Sequence, residues 1–500
     1  MRSARMNHLR QDRYFLFILF AVLFSIGFST YAAAKDRPNF VVIIADDLGW
    51  RDLGFMGSDY HRTPHIDRLA AEGLAFTQAY ANAPVCAPTR AAILSGMYSA
   101  RTGVYTVGGS GNSRRSSSDG VDISKLSLTT PRNQSSLDPG ITTLPEALRE
   151  AGYATGHVGK WHLGRTSGST GPTAHGFTSS IGASRGGGTR TYYAPYGLSD
   201  LDRTASEGEY LTDRLTEEAV DFVKENQDRP FLLWLGHYAV HTPIEADPEV
   251  LKQVERWPTG RQHDNAEYAA MLVSLDNSVG RITQTLDELG LAENTVVVFV
   301  SDNGGGRRVT DNAPLRDSKG SLYEGGVRIP CVVRYPGVVE AGRETDEPVL
   351  LFDLYPTLLD LANLKPNRRQ PIDGLSWRPL LEGKSKLDEE RPLVWYNPTY
   401  NISRRGTVSN GPRAVIRQGD WKMHYDFESK QSQLYNLGHD LGESRDLADS
   451  NASIVKSLER ELKKWLKATN AEIPAVNPNH DPQAQATDTT RRRRNRDNRN

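Results

Sequence analysis

Only two cysteines occur in 500 residues, Cys86 and Cys331, so no disulfide framework holds this chain and its stability has to come from a large apolar core. No charge of one sign dominates: 60 Lys and Arg stand against 61 Asp and Glu, a formal net charge of −1. Such a balance gives no global field for nucleic acid or acidic polymers, and an anion site must be local. Long hydrophobic runs are missing beyond residue 34, so no later segment reads as a membrane span. The one apolar run, 14–28, follows Arg2, Arg5, Arg10 and Arg13 and is closed by Ala32-Ala33-Ala34 before Lys35. Residues 1–34 therefore read as a secretory signal cleaved after Ala34, with the mature protein periplasmic or extracellular. An uncleaved anchor is the competing reading, since the run approaches the roughly 20 residues that span a bilayer. Ser25, Gly27, Ser29 and Thr30 dilute it.

Several apolar β-branched runs stop abruptly at polar residues. Run 40–44 leads to Asp46-Asp47, run 231–235 leads towards His241, and run 295–300 leads to Asp302-Asn303. Continuous apolar runs suit strands buried on both faces of a parallel sheet. Between them lie helical patterns, as in 267–290, where Tyr268, Met271, Leu275, Val279, Ile282, Leu286 and Leu289 recur at three- and four-residue steps before Gly290. Thr143-Leu144-Pro145-Glu146 opens another helix, with a capping residue and an early Pro. The expected fold is α/β, a doubly wound, mostly parallel sheet flanked by helices, whose ligands bind beyond the carboxyl ends of the strands. That domain is expected to span 35–372. From 373 to 474 shorter strand-like pieces (393–396, 413–417, 421–425) and an amphipathic helix at 454–467 predict a smaller α+β domain, an antiparallel sheet plus a helix. Residues 475–500, ending in four consecutive arginines from Arg491, are polar enough to be expected as a disordered tail. Two stretches, 105–140 and 164–192, are rich in Gly, Ser, Thr and Arg and read as long substrate-shaping loops.

Chemistry concentrates in short segments. Asp46, Asp47, Asp302 and Asn303 offer oxygen donors only, a set for a hard cation rather than for zinc, although strand-end Asp and Asn also serve as caps and turns. Cys86-Ala87-Pro88-Thr89-Arg90 holds one of the two thiols; a lone Cys is by default a small buried hydrophobe. The segment 91–96 reads as a helix with Cys86 and Arg90 near its amino end, where backbone N–H groups favour an anion. Lys160 and His162 follow the strand-like stretch 153–159, and alternation would put both on one side of an extended chain. His241 stands in His241-Thr242-Pro243, with His237 as its competitor, and Lys319 precedes Glu324-Gly325-Gly326-Val327-Arg328.

In that order these segments resemble the type I, formylglycine-dependent sulfatases of the alkaline phosphatase superfamily, over about residues 38–448. The resemblance implies that a maturation enzyme oxidises Cys86 to formylglycine, whose hydrate carries one hydroxyl that attacks sulfur and a second whose deprotonation expels sulfate. It implies calcium, ahead of magnesium, on Asp46, Asp47, Asp302, Asn303 and the converted Cys86. Arg90 would orient the hydrate, Lys160 and Lys319 would bind the ester oxygens, His162 would act as base, and His241 would bind substrate and protonate the leaving oxygen. Glu324 and Arg328 would be architectural. Thr89 stands where Ser is commoner in the family, a mild departure. The implied activity is hydrolysis of a sulfate ester, with a sulfated saccharide as the expected substrate and no nucleic-acid partner. The competing readings are a phosphonate or phosphodiester hydrolase of the same superfamily and a noncatalytic protein that binds sulfated glycans.

Overall fold

The computed structural model describes residues 37–108, 123–184, 186–384, 386–387, 391–402 and 408–481. The expected signal, the Arg- and Ser-rich run 114–118 and the four terminal arginines lie outside them.

Apolar runs become strands where predicted. The central sheet contains β1 (Asn39–Ala45), β2 (Leu74–Tyr80), β3 (Ala154–Gly159), β4 (Ser179–Ile181), β5 (Phe231–Gly236), β6 (Thr295–Ser301), β7 (Arg328–Arg334), β8 (Arg343–Thr345) and β9 (Val349–Leu350). Their order is β9-β2-β7-β6-β1-β5-β3-β4, with β8 also on β2. Every pairing is parallel except those of β7, which runs against both β2 and β6. Strands β1, β5 and β6 are buried along their whole length, which is why they read as continuous apolar runs rather than alternating ones. Odd and even residues of β1 feed two different cores: Val41 and Ile43 face the helices Leu211–Glu225 and Ala266–Glu288, while Phe40, Val42 and Ile44 face Leu144–Glu150 and Leu354–Leu361. The long helix Ala266–Glu288 buries Tyr268, Met271, Leu275, Val279, Ile282 and Leu286, as its periodicity predicts. Thr143 and Glu146 form a reciprocal capping box on the helix Leu144–Glu150.

The smaller sheet, antiparallel throughout, pairs β10 (Leu393–Asn397), β11 (Arg413–Gln418), β12 (Trp421–Asp426) and β13 (Ser432–Asn436), and the helix Ala452–Ala468 lies on it. Three sequence expectations need correction. The structural break falls near Leu393 rather than at 373, because Trp377, Leu380 and Leu381 are buried in the main core, with Trp377 4.9 Å from Phe76 between ring centroids. The stretch expected as the loop 164–192 contains β4, a short edge strand on β3. The segment expected as a disordered tail is ordered at its start. Ala475 and Val476 pair with Thr129 and Leu128, Asn477 N donates to Ser127 O at 2.9 Å, and Asp481 N donates to Ser124 O at 2.8 Å. Backbone pairing, rather than apolar burial, holds that strand, so its composition did not reveal it.

The two sheets share a third core in which Tyr80, Val327 and Phe352 meet Val394, Trp395, Ile416 and Leu434. A buried charge network crosses the same boundary. Glu324 accepts from Lys422 Nζ at 2.8 Å and from Tyr80 OH at 2.7 Å, while its backbone N donates to Glu443 Oε2 at 2.6 Å. Arg328 reaches Glu324 Oε2 at 3.4 Å, so the expected architectural pairing forms, but with partners from the second sheet that the sequence did not indicate. Among the described residues no helix is long and apolar enough to cross a membrane.

Candidate active site

Four neighbouring parallel strands, β6, β1, β5 and β3, end side by side, and each releases a segment singled out in the sequence: Asp302-Asn303, Asp46-Asp47, His237 to His241, and Lys160 to His162. Backbone bonds lace these ends together. Asp302 N donates to Ala45 O at 3.1 Å, Asp46 N to Ala239 O at 2.9 Å, and Lys160 N to Gly236 O at 2.7 Å. Cys86 follows the carboxyl end of β2, which runs parallel to these four strands, and is the first residue of the helix Cys86–Ser95, which begins earlier than the segment 91–96 suggested and is fully buried. The Thr89 hydroxyl closes the turn before it, accepting from Ala83 N at 3.1 Å and donating to Ala83 O at 3.2 Å, so Thr performs that task without Ser. Val85 supplies no side-chain cap at the amino end of this helix, the end whose N–H groups favour an anion.

Ligand atoms of Asp46, Asp47, Cys86 and Asp302 all lie within 4.8 Å of one another, and all four residues are buried. Asn303 completes the ring. Its amide nitrogen donates to Asp47 Oδ1 at 2.8 Å and to Gly304 O at 3.0 Å, which leaves Asn303 Oδ1 buried without a partner. Asp46 Oδ1 is orphaned in the same way. Buried acceptors are ordinarily satisfied, so two orphans beside a cluster of three carboxylates fit an oxygen-loving divalent ion.

Three cations face these carboxylates. Arg90, 1 % exposed, donates from Nε to Asp302 Oδ2 at 2.8 Å and from NH1 to Lys160 O at 2.8 Å, which excludes a surface role. Lys160 Nζ pairs with Asp46 Oδ2, and Lys319 Nζ donates to Asp47 Oδ2 at 2.7 Å. Burial pushes the Asp46 carboxyl up to about 6, with Lys160 opposing and Asp302 adding to the rise. Burial pushes on Asp47 too, but Lys319, His241 and Lys160 outweigh it and hold that carboxyl down at about 2. Burial also lifts the Cys86 thiol to about 11 against the pull of Lys160 and Lys319, so the thiol carries its proton at neutral pH and is a poor nucleophile.

Lys160 and His162 both reach this pocket, but not by strand alternation. Strand β3 ends at Gly159, and the chain turns: Gly159 has φ 90° and His162 φ 63°. Asp47 shares that left-handed conformation at φ 62°, a local strain found at residues whose placement matters. His162 Nδ1 is buried without a partner, and burial, then the charges of Lys160 and Arg90, hold its imidazole well below the usual range. His241 Nδ1 donates to Thr242 O at 2.6 Å, leaving Nε2 3.7 Å from Asp47 Oδ2 and a quarter of the side chain open. Its competitor His237 is fully buried, turned away onto Ser278 Oγ at 3.0 Å, and burial lowers its pKa to about 3.

Two glycines belong to the site that sequence reasoning did not assign. A Cβ on Gly236 would sit 2.7 Å from Lys160 O and 2.8 Å from Arg90 NH1; the only hint was a glycine closing an apolar run. Gly187, from the Gly-rich loop, has φ 69°, and a Cβ there would lie 2.1 Å from His162 Nδ1. Gly187→Ala is therefore expected to cost about 1–2 kcal/mol of stability, the strain of a side chain in left-handed backbone, while kcat/KM falls by about 10- to 100-fold in protein that remains folded, because a catalytic group displaced by about 1 Å costs that much. Steady-state kinetics beside a melting curve check it.

A doubly wound sheet whose strand ends gather three carboxylates, three cations and a helix-borne Cys-x-Pro-x-Arg segment defines a hydrolase of anionic esters. Residues 38–364 match the family model described as Sulfatase, and residues 317–472 match that of the N-sulphoglucosamine sulphohydrolase C-terminal region. A sulfatase of Formosa agariphila is 34% identical over 91% of this chain and 94% of its own. The N-acetylgalactosamine-6-sulfatase of Canis lupus familiaris is 33% identical over 76% of this chain and 72% of its own. The crystal structure of Ps i-CgsB in complex with k-i-k-neocarrahexaose superposes with a TM-score of 0.72 at 30% identity, covering 90% of this chain and 96% of that one. The chain belongs to the sulfatase family of the alkaline phosphatase superfamily, and it is an enzyme that hydrolyses sulfate esters.

Proposed function

We propose that this sulfatase is an exported enzyme that releases sulfate from a sulfated carbohydrate, using a formylglycine made from Cys86 and a calcium ion. The observation that carries the reading is the position of Cys86: first residue of a helix, ringed by Asp46, Asp47 and Asp302, and protonated as a thiol. An unconverted thiol would be both a weak nucleophile and a soft donor among hard ones, whereas an aldehyde hydrate supplies hard hydroxyl oxygens. Asp46, Asp47, Asp302 and Asn303 would hold calcium, which adds positive charge to a pocket whose carboxylates and cations otherwise balance and so favours the anionic ester.

The chain's own residues divide the remaining work. Lys160 and Lys319 sit where they can meet sulfate oxygens and offset charge as the ester bond lengthens. Arg90 fixes Asp302 and orients the nucleophile from the second turn of its helix. His241, partly open and held at Nδ1, presents Nε2 as the acid for the leaving oxygen. His162 is kept neutral by its surroundings and serves as base. The saccharide assignment is supported by the galactosamine sulfatase relative and by the oligosaccharide complex of the structural neighbour.

Peptide mass spectrometry on protein from a maturation-competent host should show loss of sulfur at Cys86, and sulfate should be released from members of a sulfated saccharide panel in a calcium-dependent manner. Activity from protein carrying only the thiol, or faster turnover of matched phosphodiesters, aryl sulfates or steryl sulfates, overturns the corresponding part.

A further inference from the structure

The stretch of chain that presents His241 has no helix or strand of its own. After β5 ends at Gly236, residues 237–246 run as turns and irregular backbone, and much of what fixes their course comes from the Gly-rich stretch after β4. Tyr192 OH stands 2.6 Å from Tyr238 O and 2.9 Å from His241 O. Its one proton is thus shared between the two ends of the turn that His241 N closes onto Tyr238 O at 2.9 Å. No other described group donates to His241 O. Tyr193 OH donates to Ala246 O, and Glu245 Oε2 accepts from Thr191 Oγ1 at 2.6 Å and from Tyr192 N at 2.8 Å. Tyr238 returns the tie, donating from OH to Gly182 O at 2.8 Å. Between these ties lies Gly187, the residue set against the His162 ring, so one loop stands against both histidines of the site.

Tyr192 is placed to donate and to go on donating. It is wholly buried, and burial, then the negative charge of Asp46, raises its phenol pKa well above the ordinary value. His241, in contrast, has little else to steer it. Its Nδ1 donates to Thr242 O, a carbonyl one residue along the same chain, and Asp47 Oδ2 at 3.7 Å from Nε2 is too far for a hydrogen bond. The ring therefore follows the backbone at 241–242, and whatever shifts that peptide carries Nε2 with it. An acid works only while its proton is within about 2.6–3.2 Å of the oxygen that receives it.

We propose that Tyr192 is a positioning residue for the leaving-group acid: by bridging Tyr238 O and His241 O, its hydroxyl sets the direction from which His241 Nε2 faces the ester. The proposal rests on the assignment of His241 as that acid. It carries a signature that a purely structural bond lacks. A weakly acidic phenol departs only when it is protonated, whereas a nitrophenolate departs unaided, so a misplaced acid penalises the first and spares the second. Lost stability would lower turnover of both alike.

The test compares kcat/KM for aryl sulfates running from nitrophenyl sulfate to phenyl sulfate, on matured enzyme in saturating calcium. His241→Ala should lose about 100- to 10,000-fold on phenyl sulfate, the range that general acid catalysis covers, and little on nitrophenyl sulfate. Tyr192→Phe should steepen the same leaving-group dependence in smaller measure, with a loss of about 10- to 100-fold on phenyl sulfate, the cost of a catalytic group displaced by about 1 Å. Tyr153→Phe is the control. Its hydroxyl donates to Pro38 O at 3.1 Å, just before β1 at the far end of the sheet, so a buried phenol–carbonyl bond is lost there with the slope unchanged. A second measurement needs no maturation: in the Cys86→Ala form, the histidine ring signal that His241→Ala deletes from the nuclear magnetic resonance spectrum should shift and broaden on Tyr192→Phe. Equal losses on every ester in Tyr192→Phe, no loss at all, or an unmoved His241 signal reduces Tyr192 to a structural bond and overturns the proposal while His241 keeps its role. An unchanged slope in His241→Ala overturns the acid assignment and this proposal with it. Should Tyr192→Phe fail to fold, Glu245→Ala, which frees Tyr192 N by trimming a partly exposed side chain, must steepen the slope or the proposal falls.

Discussion

Cys86→Ala is expected to give a folded protein whose sulfate-ester turnover is lower by at least about four orders of magnitude, the usual cost of removing a covalent nucleophile. The side chain is small, and the substitution removes one sulfur from a site built by others: Thr89 closes the turn, Arg90 holds Asp302, and Gly320 N donates to Pro84 O at 2.8 Å. Stability should therefore change by no more than about 1 kcal/mol. Protein made without a maturation system should be equally inactive, since burial keeps the thiol protonated until about pH 11. Full activity in either case removes the proposed role of position 86. Release of an aryl sulfate's phenol beside a denaturant titration reads both quantities.

Glu324→Gln is expected to cost about 3 kcal/mol of stability at pH 7, without touching the pocket. Glu324 is wholly buried among Lys422, Arg328 and Arg417, and deleting one member of such a group leaves the others uncompensated, at a typical cost of about 3–5 kcal/mol. The lower figure applies because Lys422 keeps Glu443 at 3.0 Å. Burial pushes the Glu324 carboxyl upward, but Lys422, Arg328 and Arg417 hold it at about 2, below its ordinary 4.5. A carboxyl depressed on folding contributes stability that is complete above the unfolded value and disappears as pH falls through the folded one. The gap between the natural protein and Glu324→Gln should accordingly stay constant above about pH 5 and close between about 4.5 and 2. A gap that is absent at pH 7, or that widens in acid, contradicts this account of the network.

How much could be read in advance depended on the kind of force holding each part. Strands β1, β5 and β6 and the helix Ala266–Glu288 were legible because burial on two faces, or on one helical stripe, writes a periodicity into the chain. Asp46, Asp47, Asp302 and Asn303 were legible as residues that close such strands, and the sheet order then explains why distant pairs meet. Contacts made by backbone were not legible. The pairing of Ala475 and Val476 with Leu128 and Thr129 needs no particular side chain, and the turn that swings His162 into the pocket depends on φ alone. Long-range partnerships of buried charge were equally hidden: nothing local in Glu324, Lys422 or Glu443 marks them as mutual partners.

The segment that presents Lys319 is clamped from the second sheet: Arg316 NH1 donates to Glu443 O at 2.6 Å and its guanidinium lies 3.8 Å above the Tyr323 ring. Gly325 N in turn donates to Arg316 O at 2.9 Å. The carboxy-terminal part of the chain, from Leu393 on, is thus a jig for one of the pocket's own ammonium groups, and a fragment ending before Leu393 would be no minimal enzyme. Natural variation on that remote face can tune catalysis from more than one sheet away, without altering a single residue that touches the ester.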